Sequence, residues 1–440
     1  MTKDHTKRGS HARIAAVLST LWMGLGQFYN RQWLKGFFFF LFEWILLIVA
    51  RVPFARAMWG LWTLGQTPQK RIGGRIVVQG DHSIFLMIEG LISLILLLLV
   101  LLIYIQNIRD AYTDGRARDL GERPLSLFAA GKKMWETGYA YILLTPAFLF
   151  TLFLTVLPLL FGVLIAFTNY SGPYHLPPKA LVDWVGFKTF YDLFSLKTWS
   201  RTFWGIAIWN VIWAVLATLT TYFAGLFYAV LINGKRVRGK RIWRAIFILP
   251  WAIPQFVAIL IFRNILNGQF GPLNQVLVSM GLPRIPWLSD PFWAKVSIIG
   301  VNIWFGFPYW MALMSGVLTS VDRALYEAAE VDGASPNQQF WRITVPLVML
   351  ATAPLLIMSF AFNFNNFNLI YLLTSGGPAN PSYVYAGSTD ILISWIYKLT
   401  LEQSQFNMAS AVSILIFIVV ATISIINFRR TRAFKEEDLT

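Results

Sequence analysis

The chain contains no cysteine and only four histidines among its 440 residues. Disulfide bonds and thiolate chemistry are therefore excluded. None of the histidines falls in the middle of an apolar stretch, which argues against a proton relay of buried imidazoles. Charged residues make up only 13% of the chain and hydrophobic residues 56%. This composition is too apolar for a soluble globular protein and indicates a membrane protein.

Acidic residues are scarce as well, with 21 Asp and Glu against 37 Lys and Arg and a net charge of +16. Such an excess can indicate a nucleic-acid partner, but here the basic residues gather beside long apolar stretches. The densest group lies at 235–244, and others lie near both ends of the chain. Because short basic loops stay on the cytoplasmic side of a membrane, this distribution predicts cytoplasmic termini and no nucleic-acid partner. A smaller basic group, at 56–75, falls in a loop that this topology places outside.

Long apolar stretches dominate the rest of the chain. A helix needs about 20 apolar residues to cross the bilayer core. Eight windows of this length lie near 36–51, 84–106, 140–168, 204–232, 242–263, 293–319, 345–370 and 408–428. A ninth, shorter stretch at 14–29 is interrupted by Gly24 and Gly26, so we expect an interfacial or re-entrant helix there.

This order predicts an all-α, polytopic membrane protein with eight transmembrane helices. Short polar connections separate the windows and leave no room for a large soluble domain. The predicted division is a basic N-terminal region at 1–35, two accessory transmembrane helices at 36–106, a cytoplasmic linker at 107–139, a six-helix core at 140–428 and a cytoplasmic tail at 429–440.

Two of the windows carry polar residues at helical spacing. Asn302, Gly306 and Tyr309 lie at i, i+4 and i+7, so they share one helix face. The same spacing, with one further position at i+3, relates Ser359, Phe362, Asn363 and Asn366. Buried amides can bond between helices, which is the simpler alternative. The crowding of asparagines favours a polar cavity with aromatic walls for a neutral, polyhydroxylated solute.

A polar segment, 320–346, interrupts two apolar windows on the predicted cytoplasmic side. It reads as two short helices, with Ser320 or Asp322 capping the first and Gly333 ending it in the left-handed conformation. Ser335 and Gln338 then form a predicted capping box for the second helix. A surface hairpin between two spans is the alternative interpretation, but a capped polar element of this kind indicates a docking site.

The same segment resembles the EAA loop of ABC importer permease subunits. Glu327-Ala328-Ala329 is followed at the characteristic spacing by Gly333, Ile343 and Pro346. The resemblance implies a type I ABC importer permease core whose coupling helix docks on a cytoplasmic ATPase. It places the coupling contact at Glu327, Ala328, Ala329, Asp332 and Gly333. The chain has no Gly-x-x-x-x-Gly-Lys-Ser/Thr loop, so ATP is expected on a separate chain and no cofactor on this one.

Three further runs resemble MalF-type maltose/maltodextrin permease subunits. They are Leu249-Pro-Trp-Ala-Ile-Pro254, Asn302-x-Trp-x-Gly-x-Pro-Tyr309 and the Asn-rich run from Ser359 to Phe367 with Thr374-Ser-Gly-Gly-Pro378 after it. The resemblance implies a bacterial cytoplasmic-membrane permease and three kinds of partner: a second, MalG-like permease, two ATPase subunits and an extracellular solute-binding protein. It assigns maltodextrin binding to Trp251, Gln255, Asn302, Gly306, Tyr309, Ser359, Phe362, Asn363 and Asn366.

Three alternatives remain at this point. The substrate can be another neutral oligosaccharide. A stand-alone secondary transporter would need buried ionisable groups, which the middle windows lack. A membrane enzyme would need acids at the membrane edge, and only Asp110, Asp114, Asp119 and Glu122 cluster. Glu43 is a lone acid in the first window, for which we expect pairing between helices or a position near the membrane interface.

Overall fold

The computed structural model describes residues 10–73, 75–176, 180–234 and 237–430. Most of the basic residues near the two chain ends lie outside these ranges, and so do Lys235 and Arg236. The chain forms two compact units, Met1–Gly186 and Phe187–Thr440. The domain boundaries predicted from the sequence stay predictions.

The first unit combines short helices near the N-terminus with three long ones. In chain order, its elements are α1 (Ser10–Leu21), α2 (Leu25–Tyr29), α3 (Trp33–Thr63), β1 (Lys70–Ile72), β2 (Arg75–Val78), α4 (Ser83–Asp119) and α5 (Leu127–Ile165), with β1 and β2 paired antiparallel.

The acids that clustered in the sequence hold this unit together. The Lys35 ammonium lies 3.1 Å from Asp110 and 3.0 Å from Asp114. Asp119 accepts the backbone N–H groups of His11 and Ala12 at the start of α1. The carboxylates of Asp110, Asp114 and Asp119 are therefore engaged in ion pairs or hydrogen bonds within the unit. Among the described residues, no group of three or more His, Asp or Glu side chains could hold a metal ion.

Glu43 also acts between helices, as the sequence predicted. Its carboxylate accepts the backbone N–H of Met23 in the turn between α1 and α2. Gly24 follows in the left-handed conformation with φ +88, so the apolar stretch 14–29 becomes two short helices. Neither helix is long enough to cross a bilayer.

The second unit contains the remaining spans and the capped polar segment. Its helices are α6 (Lys188–Ser195), α7 (Lys197–Asn233), α8 (Lys240–Ala252), α9 (Gln255–Ile265), α10 (Pro272–Ser279), α11 (Pro291–Ser320), α12 (Arg323–Val331), α13 (Pro336–Phe364), α14 (Phe367–Thr374), α15 (Leu392–Tyr397) and α16 (Phe406–Arg430).

Helix α7 is the packing centre of this unit. Three apolar clusters lie along it, built on its buried residues from Phe203 to Ile232. Small residues on one face let α11 approach closely, because a Cβ on Gly225 would overlap the side chain of Trp310. Close contact of this kind between small residues is how membrane helices gain packing energy without a hydrophobic driving force.

The structure does not confirm the predicted count of eight transmembrane helices. Among the described residues, six helices are long and apolar enough to span a membrane. The window 242–263 forms two helices, α8 and α9, that meet at an angle of 91°. Within the fully described part of α16, the apolar stretch is Phe406–Thr422, which is shorter than the other spans. Pro254 causes the bend, because proline removes a backbone donor and biases the preceding residue away from helix.

The segment between α14 and α15 is tied by a buried ion pair. The Asp390 carboxylate lies 2.6 Å from the Lys398 ammonium and also accepts the Ser394 hydroxyl. Gly376, with φ +72, leaves room for this carboxylate, which a Cβ there would overlap. Burial raises the pKa of the Asp390 carboxyl, and Lys398 opposes that rise.

Removing one partner of this ion pair should destabilise the protein strongly. In Asp390→Asn, the Lys398 ammonium loses its buried counter-charge, which costs about 3–5 kcal/mol. Equilibrium unfolding in mixed micelles measures the change. Glu136→Gln is the matched control, because its pair with Lys132 is exposed with N–O 3.8 Å and is worth less than about 1 kcal/mol. Equal effects of the two substitutions would contradict this account.

Candidate functional site

A cavity of about 610 Å³ lies within the second unit. It is bounded by α7, by both helices of the bent pair, by α11 and by the end of α13. All nine residues predicted to bind substrate line it: Trp251, Gln255, Asn302, Gly306, Tyr309, Ser359, Phe362, Asn363 and Asn366. None of the described residues that line it is an Asp, Glu, Lys, Arg or His. The cavity therefore suits a neutral ligand.

The polar wall of the cavity is also a bonding surface between helices. The side-chain amide of Asn363 donates to the hydroxyl of Thr218 at 3.0 Å, and that of Asn302 donates to the carbonyl of Ala217 at 3.4 Å. The alternative considered for these asparagines, bonding between helices, is thus present together with the cavity. Bonds to α7 hold both side chains in place and so orient the polar surface that a ligand would meet.

An interruption between two helices forms the end of this wall. The window 345–370 was expected to continue as one helix, but α13 ends at Phe364 and α14 begins at Phe367. The Asn366 side chain caps α14 by accepting the backbone N–H of Leu369. Asparagine favours this capping position, which is the signal in the sequence that could have located the break.

The aromatic wall lies where α8 meets α9. The rings of Trp251 and Tyr309 lie 5.9 Å apart at an angle of 31°. Trp251 is 57% exposed and Phe362 66% exposed, although both line the cavity. Exposed aromatic faces beside amides are the surface that covers the apolar face of a sugar ring.

Several lining residues were not predicted. Thr221 comes from α7, Phe305 from α11, and Leu355 and Met358 from α13. The run Thr218–Thr221 was a weak signal for α7, since hydroxyls repeat there within an apolar window. The other three are apolar, and spacing alone does not distinguish a cavity wall from a packed core.

The caps of the polar segment are present as predicted, but its second helix continues into the long α13 instead of staying short. Asp322 caps α12 by accepting the Ala324 N–H, and Gly333 ends the helix with φ +78. Ser335 and Gln338 form both bonds of the capping box. The Tyr326 hydroxyl lies 2.9 Å from that of Thr344, which ties α12 to α13.

The predicted coupling residues lie on the surface of this segment. No residue of α12 is buried, and Val331 is 88% exposed. Glu327, Ala328, Asp332 and Gly333 are exposed and Ala329 is half-buried. A well-capped helix is suited to docking when, as here, the described residues offer no partner to its exposed apolar and acidic side chains.

The long apolar helices and the uncharged cavity define a multi-pass membrane transport protein. Residues 222–432 match the family described as "Binding-protein-dependent transport system inner membrane component". The galactooligosaccharide permease GanP of Bacillus subtilis is 41% identical, covering 97% of this chain and 99% of GanP. The maltodextrin permease MdxF of the same organism is 39% identical over 100% of both chains.

A solved structure shares the fold. A bacterial ABC transporter involved in the import of alginate has a TM-score of 0.55 and 25% sequence identity, covering 69% of this chain and 98% of that chain. The chain belongs to the permease family of binding-protein-dependent sugar importers. The resemblance to ABC importer permeases inferred from the sequence is confirmed.

The contact at Gly306 leads to a prediction with a control on the same helix. A Cβ at Gly306 would lie 2.5 Å from the Thr221 side chain, so Gly306→Ala must push α11 away from α7. We expect a loss of about 1–3 kcal/mol in the free energy of unfolding. A Cβ at Gly300 meets nothing within 4 Å, so Gly300→Ala should change the free energy of unfolding little. Unfolding in mixed micelles compares them, and equal stability would show that the close approach is unimportant.

Proposed function

We propose that the chain is the membrane-spanning subunit of an ATP-driven importer for neutral oligosaccharides, with maltodextrins as substrate. The observation that carries this proposal is the uncharged cavity, in which amides and a phenol face aromatic side chains. Amides pair with sugar hydroxyls, and aromatic faces cover the apolar side of the ring. The similarity to MdxF, a maltodextrin permease, supports this choice of sugar.

Galacto-oligosaccharides are the second candidate substrate. GanP, a galactooligosaccharide permease, is as similar to the chain as MdxF is. Both sugars are neutral and carry the same kinds of hydroxyl, so a cavity without charge accepts either class. Discrimination therefore depends on how the fixed amides match the directions of the hydroxyls.

The proposed complex contains a second, MalG-like permease, two ATPase subunits and an extracellular solute-binding protein. The chain would form half of the translocation pathway in the bacterial cytoplasmic membrane, with both termini in the cytoplasm. It would hydrolyse nothing itself and bind no cofactor, because ATP would bind to the ATPase subunits. Closure of these subunits would move α12 and so switch the cavity from one side of the membrane to the other, as a rigid-body change.

The sugar is tested with the reconstituted complex. ATPase activity stimulated by the binding protein is measured with maltose to maltoheptaose and with β-linked galacto-oligosaccharides. We expect stimulation by the maltodextrins and little by the galactosides. The reverse pattern would assign the second candidate. Uptake that continues without ATP would contradict the importer class and favour a secondary transporter.

The role of the cavity is tested at its aromatic wall. Trp251→Ala removes a contact with the sugar, and burial of such a side chain contributes about 1.5–3 kcal/mol. We expect uptake by proteoliposomes, at saturating binding protein, to fall about tenfold or more. Trp243→Ala is the control, because Trp243 lies on the same helix but does not line the cavity. Unchanged uptake in Trp251→Ala would remove the cavity from the pathway.

The coupling role is tested by two glycines of matched geometry. Gly333 and Gly281 have φ +78 and φ +76, and a Cβ at either meets nothing within 4 Å. Leucine at either position should therefore cost a similar strain, about 1–2 kcal/mol. We expect Gly333→Leu to abolish ATPase-coupled uptake, and Gly281→Leu to preserve it. Pull-down of the ATPase checks that the complex assembles, and normal uptake in Gly333→Leu would reject the coupling assignment.

A further inference from the structure

A second cavity, of about 650 Å³, lies in the first unit where three candidate spans have their ends. We call it the interfacial pocket. The spans are α3, which begins at Trp33, α4, which ends at Asp119, and α5, which begins at Leu127. Its walls are the turn from Asn30 to Gln32, the first turn of α3, Arg118 and the connection from Glu122 to Leu127. Span ends and an exposed tryptophan mark the boundary between hydrocarbon and water.

The charge of this pocket is positive and mostly uncompensated. Three guanidinium groups line it, those of Arg31, Arg118 and Arg123, together with one acid, Glu122. Lys35 also lines it, but Asp110 and Asp114 already neutralise this ammonium. Within the described part of the chain, no carboxylate forms an ion pair with any of the three arginines. The pocket therefore offers three cations to an anionic group.

The positions of these cations are held by the fold. Arg118 donates to the Tyr29 carbonyl at 2.6 Å, and its guanidinium lies 5.2 Å from the centre of the Tyr29 ring. The buried amide of Asn30 donates to the Ala111 carbonyl at 2.8 Å and so fixes the turn against α4. Arg31 follows with φ +62, a left-handed conformation that a non-glycine residue adopts at a cost. Tight bonding of this turn maintains a strained arginine at the mouth of the pocket.

An apolar surface continues from the pocket along α3. Trp33 and Leu34 line the pocket and are 69% and 59% exposed. One turn further along α3, Phe37 and Phe38 are exposed as well. The ligand that matches the whole surface therefore has a phosphate or similar anion at one end and hydrocarbon at the other.

We propose that the interfacial pocket binds the headgroup phosphate of an anionic phospholipid, with an acyl chain along Trp33 and Phe37. The guanidinium groups match phosphate in geometry, and each is worth about fivefold in affinity near a membrane surface. The bound lipid would join α3, α4 and α5 at one level of the membrane. This site is separate from the oligosaccharide cavity and does not depend on the sugar or on the coupling proposal.

The test compares lipids bound to the full chain in nanodiscs of phosphatidylcholine and phosphatidylglycerol at equal mole fractions. Native mass spectrometry counts the lipids retained. We expect preferential retention of phosphatidylglycerol by the unsubstituted chain. In R31Q/R123Q this preference should fall by roughly 25-fold, at about fivefold for each arginine. Both side chains are exposed, so thermal unfolding should show that the variant stays folded.

A control and a competitor complete the experiment. R71Q/R75Q removes the same charge from the exposed β-hairpin and should leave the preference unchanged. Equal loss in both variants, or no loss in R31Q/R123Q, would overturn the proposal. Inorganic phosphate at millimolar concentration should not displace the lipid, because it cannot use the apolar surface. Complete displacement would assign the pocket to a soluble phosphate and contradict a lipid site.

Discussion

The hydrogen bonds from α7 to the broken end of α13 are the interaction on which the second unit depends. Where a helix stops inside a membrane, its last carbonyl groups lose their partners in the next turn. Trp213 donates its ring N–H to the Asn363 carbonyl at 2.9 Å, and Asn210 donates to the Phe364 carbonyl at 2.9 Å. The side-chain oxygen of Asn210 accepts the backbone N–H of Leu392 at the start of α15. These bonds let α13 end where the cavity needs Asn363 and Asn366.

The cavity is therefore a product of two interrupted helices. One interruption, at Pro254, turns α9 away from α8 and brings Trp251 and Gln255 to the same wall. The other, after Phe364, places Asn366 beside Asn363. Irregular backbone of this kind is tolerated in membranes where it lines a cavity or is buried in protein.

Local patterns in the sequence predicted local structure well. The cap at Asp322, the left-handed Gly333 and the Ser335 capping box each depend on side chains within four residues, and each is present. The face shared by Asn302, Gly306 and Tyr309 also follows from helical spacing alone. The number of spans did not follow, because hydropathy measures length and apolarity but not the 91° bend that Pro254 introduces. Whether these residues bind sugar stays a prediction.

The sequence by itself determined that the chain is helical and membrane-spanning, that its middle spans carry uncharged polar faces, and that a capped polar segment lies between two of them. These properties depend on composition and on spacing of less than two helical turns. Only the tertiary structure decided that nine separated residues line one cavity, and that Asn302 and Asn363 serve both α7 and the cavity. The physical reason is that the position of each cavity wall depends on a neighbouring helix, which supplies hydrogen-bond donors, hydrogen-bond acceptors or space.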